Sequence, residues 1–259
     1  MELHIQALTD TGRVRDHNED RVLLGDNILD EGSQGVEVTL RHTTPYLVAI
    51  ADGMGGHNAG EVASEMVLIL MSQRLRSLEP GLTDNELAKA VESWAIEVHS
   101  RVLEEGERLP ERKGMGTTLV GVLFYNGLAY YLNAGDSRLY RLRDGYLAQI
   151  TRDHSLRELA GHDNAPSNII VNSFGGGAEI FVDFAPVGKK LFDGDVLLLC
   201  SDGLSDMLGD DEIEGIMNTS ETPVSALAAE ANNRGGKDNI SVLIIRIASI
   251  AEFSQLQLL

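Results

Sequence analysis

The sequence predicts an α+β fold, because strand signals lie at both ends of the chain and helical signals cluster between them. Two consecutive hairpin signals indicate an antiparallel sheet. They are Asn126-Gly127 and Asp144-Gly145, each between two apolar runs, where such pairs favour a tight type I′ turn. Strands and helices do not alternate regularly, so the pattern does not predict a chain of repeated β-α-β units.

The strand predictions follow short apolar runs. Tyr46–Ala51 is continuously apolar, as is typical of a buried strand. The expected strands cover residues 4–8, 21–24, 36–40, 46–51, 119–125, 128–132, 137–143, 146–150, 180–184, 196–200 and 240–247. Residues 154–178 have no clear pattern.

Two longer helices are expected between the first strands and residue 117. The first runs from about residue 59 to about residue 75. The second begins with a capping box, in which Thr83 and Glu86 satisfy each other's backbone amides. Trp94 recurs with that helix's apolar residues, a spacing that favours core packing over ligand stacking. Two short helices are expected near 211–217 and 223–232.

Length and composition predict one domain, residues 1–259, with a sizeable core. The 21 basic and 40 acidic residues give a formal net charge of −19. That charge argues against a nucleic-acid partner and against an anionic membrane surface. One cysteine excludes an internal disulfide and a cysteine-rich zinc site. No segment predicts membrane insertion or secretion, so a cytoplasmic location is expected.

Acidic residues lie beside the ends of several predicted strands, most of them next to a glycine. The pairs are Glu19-Asp20, Asp52-Gly53, Gly135-Asp136, Asp202-Gly203 and Asp238-Asn239. Carboxylates brought together there would repel one another unless a cation lay between them, and a hard divalent cation is the natural partner. A single Asp-Gly pair is more simply a turn, as expected at Asp144-Gly145. Several pairs at strand ends favour a shared metal site.

Other catalytic signals fail on their spacing. The glycine-rich run after Asp52 is close to a dinucleotide fingerprint, but Asn58 stands where a glycine is needed. No Walker loop and no Gly-x-Ser-x-Gly elbow are present. Cys200 is followed six positions later by Asp206 instead of the arginine of a cysteine phosphatase, so a buried thiol is expected. Carboxylates without a protein nucleophile point to metal-activated water.

Seven short motifs lie in order along residues 5–247. They are Arg15-Asp-His-Asn-Glu-Asp20, Asp52-Gly-Met-Gly-Gly-His57, Gly116-Thr-Thr118, Gly135-Asp-Ser-Arg138, Asp153-His-Ser155, Ser201-Asp-Gly-Leu204 and Gly236-Lys-Asp-Asn-Ile-Ser241. Together they resemble the motifs of the metal-dependent Ser/Thr protein phosphatases of the protein phosphatase 2C type, and most closely the bacterial single-domain members.

The resemblance implies a four-layer α-β-β-α sandwich of two antiparallel sheets flanked by helices, with a binuclear Mn²⁺ or Mg²⁺ centre at one end. By matching positions, Asp52 would bridge both cations, and the carbonyl of Gly53 would ligate the first. Asp202 and Asp238 would ligate the second.

The remaining matches imply supporting roles at the same centre. Asp20 and Glu19 would act mostly through metal-bound water, and Asn239 would support the ligand loop. Asp136, with Asp202, matches the place of a third, weaker metal.

Two further matches concern the substrate. Arg15 matches the arginine that grips the substrate phosphate, a role suited to a guanidinium fork. His57 matches a general acid for the leaving alkoxide, and a capping or supporting role is the open alternative for a histidine at a helix start.

One segment departs from the family. Relatives carry a longer flap after Asp-His-Ser, followed by a segment like Asn-Ile-Ile-Thr-Arg-Ala-Leu-Gly. The counterpart here is Asn168-Ile-Ile-Val-Asn-Ser-Phe-Gly175, in which Asn172 replaces the arginine. Because flap loops shape access to the metals, substrate choice and third-metal affinity stay open.

The expected function is hydrolysis of phosphoserine and phosphothreonine in proteins by a water that bridges two metal ions. The expected partners are a Ser/Thr kinase and its targets, and the chain is expected to be a monomer. A non-catalytic regulatory module and a phosphoesterase for small esters stay open as alternatives. The complete set of Asp52, Asp202 and Asp238 argues against the first.

Overall fold

The computed structural model describes residues 1–41, 44–55, 59–161, 169–188 and 190–250. Their strands form two six-stranded antiparallel sheets and a small ribbon. Sheet I contains, in spatial order, β11 (Tyr146–Gln149), β10 (Arg138–Arg143), β13 (Val196–Cys200), β14 (Ile240–Ser249), β1 (Glu2–Asp10) and β4 (Gly32–Thr39). Sheet II contains β12 (Asp183–Pro186), β9 (Leu128–Ala134), β8 (Leu119–Tyr125), β5 (Tyr46–Ala51), β2 (Arg21–Leu24) and β3 (Asn27–Leu29). The ribbon pairs β6 (Gly53–Met54) with β7 (Gly116–Thr117).

Helices cover the outer face of each sheet. Sheet II carries the two long helices, α1 (Gly60–Arg76) and α2 (Asp84–Arg108). Sheet I carries α4 (Asp202–Ser205), α5 (Asp210–Thr219) and α6 (Pro223–Asn233). The short helix α3 (Leu156–Ala160) lies between β11 and β12 in the chain, and a 3₁₀ turn at Pro110–Arg112 follows α2. None of the described helices is both long and apolar enough to cross a membrane.

Three apolar clusters separate the layers. Alternate residues of β1, such as Leu3 and Ile5, are buried between the two sheets. Strand β13 is buried on both faces, because Leu199 faces the space between the sheets while Leu198 packs under the helices of sheet I. The predicted α+β class and the four-layer sandwich are therefore confirmed.

Local signals predict local geometry well in this chain. Asn126 has φ 49° and Gly127 φ 79°, and the pair at Asp144 has φ 52° and 84°, as type I′ turns require. The capping box is present, since the Glu86 amide donates to Thr83 Oγ1 at 3.3 Å and the Thr83 amide donates to Glu86 Oε2 at 2.9 Å. Trp94 packs against the core cluster under α2.

The sequence misses six short elements, namely β3, β6, β7, α3, α4 and the 3₁₀ turn. Segments of two to five residues are too short to develop a period, so only tertiary contacts define them. The strand expected from residue 36 begins earlier, at Gly32, because its register with β1 continues to Thr9 opposite Gly32. The strand expected at 180–184 lies at Asp183–Pro186, where it pairs with β9.

Candidate metal centre

Strand register brings the acidic pairs to one end of the sandwich. In sheet II, Arg21 pairs with Ala51, so the preceding Asp20 and the following Asp52 lie at the same end. In sheet I, Arg138 pairs with Cys200, and Cys200 pairs with Val242. The segments that carry Asp136, Asp202 and Asp238 therefore begin or end beside one another. We call Asp20, Asp52, Asp136, Asp202 and Asp238 the aspartate cluster.

The members of the aspartate cluster repel one another. Burial, followed by the charges of Asp20, Asp202, Asp136 and Asp238, raises the pKa of Asp52 well above its ordinary value. Burial and the neighbouring carboxylates also raise the pKa of Asp202 well above its ordinary value. Burial raises the pKa of Asp20 and that of Asp136 to about 6 each. Positive charge inserted between these groups would relieve the repulsion.

Several of these carboxylates also lack hydrogen-bond partners. The buried Oδ1 atoms of Asp20, Asp136 and Asp202 accept no hydrogen bond. Buried polar atoms are usually paired, so these oxygens are free to bind a ligand that is itself positive. Carboxylate oxygens are the donors that Mg²⁺ and Mn²⁺ prefer. The donor set therefore fits the divalent cations that the sequence predicts.

Gly53 follows Asp52 in a tightly packed position. A Cβ on Gly53 would meet the backbone oxygen of Gly60 at 2.3 Å and that of Glu19 at 2.5 Å. The backbone of β6 lies directly against the first turn of α1, and because of this close approach only a glycine fits at position 53. The Asp52 carbonyl in turn accepts the amide of Thr118, which holds the Asp52-Gly53 link against the ribbon.

Arg15 lies against the aspartate cluster. Its Nη2 donates to Asp238 Oδ2 at 2.6 Å, while about half of its side chain, 48%, stays exposed. The hydrogen bond with Asp238 raises the pKa of Arg15, so the guanidinium stays charged. Arg15 is thus the cationic side chain that contacts this aspartate, and it is open to a ligand arriving from solvent.

Asn239 fastens the loop between β1 and β2. Its Oδ1 accepts the amide of Glu19 at 2.8 Å, and its Nδ2 donates to the carbonyls of Thr11 and His17 at 2.9 and 3.0 Å. The side chain of Glu19 itself is buried, and its Oε1 lies 3.6 Å from His17 Nε2. Burial raises the pKa of Glu19, and His17 and the Gly60 amide lower it. His57 lies outside the described residues, so its role stays a prediction.

Sequence reasoning missed part of the cleft beside the cluster. An open cleft of about 440 Å³ is lined by Asp136, Asp202 and Asp238 together with Asp206 and Lys237. Burial raises the pKa of Asp206. Asp206 lies four residues after Asp202, and residues at this spacing share a helix face, which is the signal that points to it.

Asn172, the departure from the family's arginine, is buried in a hydrogen-bond network. Its Nδ2 donates to His154 Nδ1 and to the Phe181 carbonyl, both at 2.8 Å, and its Oδ1 accepts the Phe181 amide at 3.2 Å. His154 Nδ1 also accepts the Gly135 amide at 3.2 Å. Asn172, which lies in the segment after the flap, is therefore linked through His154 to Gly135, the residue that precedes Asp136. Cys200 is fully buried, and burial raises the pKa of its thiol to about 12, as a structural thiol requires.

The sequence matches the family described as protein phosphatase 2C over residues 37–234. The chain belongs to the protein phosphatase 2C family. The serine/threonine phosphatase stp of Listeria monocytogenes serotype 4b is 35% identical over 256 residues, which cover 94% of this chain and 95% of stp. The expected enzyme class, a protein-serine/threonine phosphatase, is confirmed for this phosphatase.

Solved structures agree with this membership. The S. agalactiae serine/threonine phosphatase superposes on this phosphatase with a TM-score of 0.79 and 30% identity, covering 95% of this chain and 99% of that one. The catalytic domain of the serine/threonine protein phosphatase PstP in complex with 2 manganese ions has a TM-score of 0.73 and 31% identity. The match covers 96% of this chain and 100% of that catalytic-domain chain.

Proposed function

We propose that this phosphatase hydrolyses phosphoserine and phosphothreonine in proteins with two divalent cations, Mn²⁺ or Mg²⁺, held by the aspartate cluster. The observation that supports it most is the convergence of buried aspartates whose charges raise one another's pKa. Such a group is stable at neutral pH only with positive charge between its members. The PstP structure in complex with 2 manganese ions supports the choice of cation.

The ligand roles follow the matched positions. Asp52 would hold both cations, the Gly53 carbonyl would complete the first site, and Asp202 and Asp238 would complete the second. When bound, such cations would supply a more acidic water for attack on phosphorus and positive charge for the phosphoryl oxygens. Asp20 supports this centre, and its Oδ2 is held in place by a 2.8 Å hydrogen bond from Ser201.

The phosphate group of the substrate binds to Arg15. This side chain is charged, half exposed and in contact with Asp238, so it lies between the aspartate cluster and solvent. A guanidinium fork matches two phosphate oxygens, which orients the ester for attack. His57 remains the predicted general acid for the leaving oxygen.

Asp136 and Asp202 form a third, weaker metal site that opens into the cleft. Both line it, and the unpartnered Oδ1 of each is buried. Asp206 adds a further carboxylate to the same cleft.

The substrates we propose are phosphorylated proteins, among them a Ser/Thr kinase and that kinase's targets. The names of the relatives support this class, because stp and PstP are serine/threonine phosphatases. One catalytic domain over residues 1–259, a monomeric state and a cytoplasmic location stay predictions of the sequence.

The decisive experiment measures phosphate release from a phosphothreonine peptide, with a nucleoside monophosphate as the competing substrate class. Release should require Mn²⁺ or Mg²⁺, stop in EDTA and favour the peptide. Asp52→Asn should abolish it. Asp144→Asn should not, because Asp144 is also followed by a glycine but lies in a type I′ turn and not in the aspartate cluster. Full activity in EDTA would contradict the metal mechanism, and preference for the nucleotide would contradict the substrate class.

A further inference from the structure

Three side chains that commonly bind metals meet beside the aspartate cluster but outside it. His17 Nε2, one oxygen of Glu19 and one oxygen of Glu61 all lie within 4.8 Å of one another. They come from two parts of the fold, since His17 and Glu19 lie in the loop between β1 and β2 and Glu61 lies in the first turn of α1.

Their separations suit a shared ion better than direct hydrogen bonds. His17 Nε2 lies 3.6 Å from Glu19 Oε1 and 3.9 Å from Glu61 Oε2. Both distances exceed the hydrogen-bond range of about 2.7–3.2 Å. Two atoms bound to one tetrahedral cation at about 2.1 Å each lie about 3.4 Å apart. The separations of 3.6 and 3.9 Å therefore need only a small movement of the side chains to close on an ion.

Glu19 is buried and Glu61 is partly exposed, and each has one buried oxygen without a hydrogen-bond partner. Glu19 is only 9% exposed, and its Oε1 accepts no hydrogen bond. Glu61 Oε2 is likewise buried without a hydrogen-bond partner. A buried carboxylate oxygen in this state is costly unless a cation contacts it. The unpaired Oε1 of Glu19 is also the atom that lies 3.6 Å from His17 Nε2.

The backbone keeps the space in which this carboxylate lies. A Cβ on Gly60 would meet Glu19 Oε1 at 2.6 Å and its carboxyl carbon at 2.7 Å. The glycine at the first position of α1 therefore allows Glu19 to reach the side of Glu61.

We infer that His17, Glu19 and Glu61 form an additional binding site for a transition-metal cation, best represented by Zn²⁺. One imidazole and two carboxylates are a ligand set that binds Zn²⁺, whereas Mg²⁺ prefers oxygen ligands alone. Three protein ligands leave a fourth position for water. The bound ion connects the loop that carries Arg15 to the start of α1, next to Gly53.

The test measures Zn²⁺ binding to the metal-stripped full chain by calorimetry, with Mg²⁺ in excess to occupy the aspartate cluster. His17→Ala and Glu61→Gln should each weaken one Zn²⁺ site by at least about tenfold. His4→Ala, which removes an exposed histidine from β1, should leave every site unchanged. Circular dichroism checks that each variant is folded.

A second measurement follows the imidazole itself. Zn²⁺ should shift the nitrogen-15 resonance of His17 Nε2, identified by its loss in His17→Ala, and Mg²⁺ should not. Equal Zn²⁺ affinity in wild type and His17→Ala, or an unmoved His17 resonance, would show that the three residues form only an ion pair and would overturn the site. Neither measurement depends on turnover. A failure of the proposed Zn²⁺ site can therefore be distinguished from a failure of the proposed function.

Discussion

Strand β13 has an aspartate near each end, and the two aspartates are in opposite situations. Asp195, just before the strand, accepts two hydrogen bonds of 2.6 Å from the Arg143 guanidinium and a third from the Phe192 amide. Although burial acts in the opposite direction, Arg143 lowers the pKa of Asp195. At the other end, burial and neighbouring carboxylates raise the pKa of Asp202, and its Oδ1 has no hydrogen-bond partner.

The difference separates a structural carboxylate from a functional one. Arg143 on β10 supplies the positive charge that balances Asp195, so this carboxylate needs no cation from solvent. At the other end, Asp202 faces further carboxylates, which is stable only if protons or cations enter from solvent. A side chain of similar chemistry on the same strand therefore stabilises the fold at one end and prepares a binding site at the other.

The largest expected effect is on catalysis. Asp202→Asn removes a charged ligand and should lower kcat in Mn²⁺ by about 10³-fold or more, since metal-ion catalysis supplies several kcal/mol of transition-state stabilisation. Asp195→Asn should stay within about threefold of wild type, because a distant structural change leaves the site intact. Turnover of a phosphothreonine peptide measures both. Equal losses in the two variants would remove the distinction between the ends.

The stability of the metal-free protein should change in the reverse order. Asp195→Ala leaves Arg143 without its partner and should lower the free energy of unfolding by about 3 kcal/mol, less than for a fully buried pair because 29% of the Arg143 side chain is exposed. Asp202→Asn removes a repelling charge and should leave stability equal or higher. Urea unfolding in EDTA measures both variants. A less stable Asp202→Asn protein would mean that the cluster is already compensated.

The two ends also differ in how much the sequence reveals. Asp202 is visible in the sequence because an Asp-Gly pair after an apolar strand is a local signal. That it meets Asp52 depends on strand register, which the resemblance to the family implies and local pattern does not. The pair of Arg143 and Asp195 spans 52 positions and leaves no local trace, so it emerges only when β10 pairs with β13.

The same limit explains the missed residues. Asp206 lies four residues after Asp202, but this spacing has meaning only on a helix, and α4 is too short to be predicted from the sequence. The contact between His17 and Glu61 joins a loop to a helix residue 44 positions away. Neither residue lies at a strand end, so no local signal marks it. By contrast, the turns at Asn126 and Asp144 were predictable because their geometry depends on two adjacent residues.

The pH dependence of stability should distinguish the two ends further. Asp20 and Asp136 have folded-state pKa values of about 6, above the ordinary value of 3.8, so the folded protein binds more protons between these values than the unfolded chain does. Stability of the metal-free protein therefore falls as pH rises through about 6, and unfolding at about pH 5 should cost about 2 kcal/mol more than at about pH 7.5. Asp195, with its lowered pKa, contributes no change in this range.

Thermal unfolding in EDTA at these two pH values measures the difference, and Asp136→Asn should reduce it. Saturating Mn²⁺ should reverse its sign, because acid then displaces the cation by protonating its ligands. A metal-free protein that is more stable at the higher pH would contradict the raised pKa values.

The smallest expected effect concerns Asn172, which lies near the site and yet resembles Asp195 in being fully hydrogen-bonded. It donates to His154 and to the Phe181 carbonyl and accepts the Phe181 amide, and it is only 4% exposed. Asn172→Ala leaves buried partners unpaired and should lower the free energy of unfolding by about 1–2 kcal/mol. Asn233→Ala, at an exposed asparagine on α6, should change it by less than about 0.5 kcal/mol. Urea unfolding compares the two. If Asn172→Ala instead left stability unchanged and altered only turnover, pairing would not distinguish structural from functional residues here.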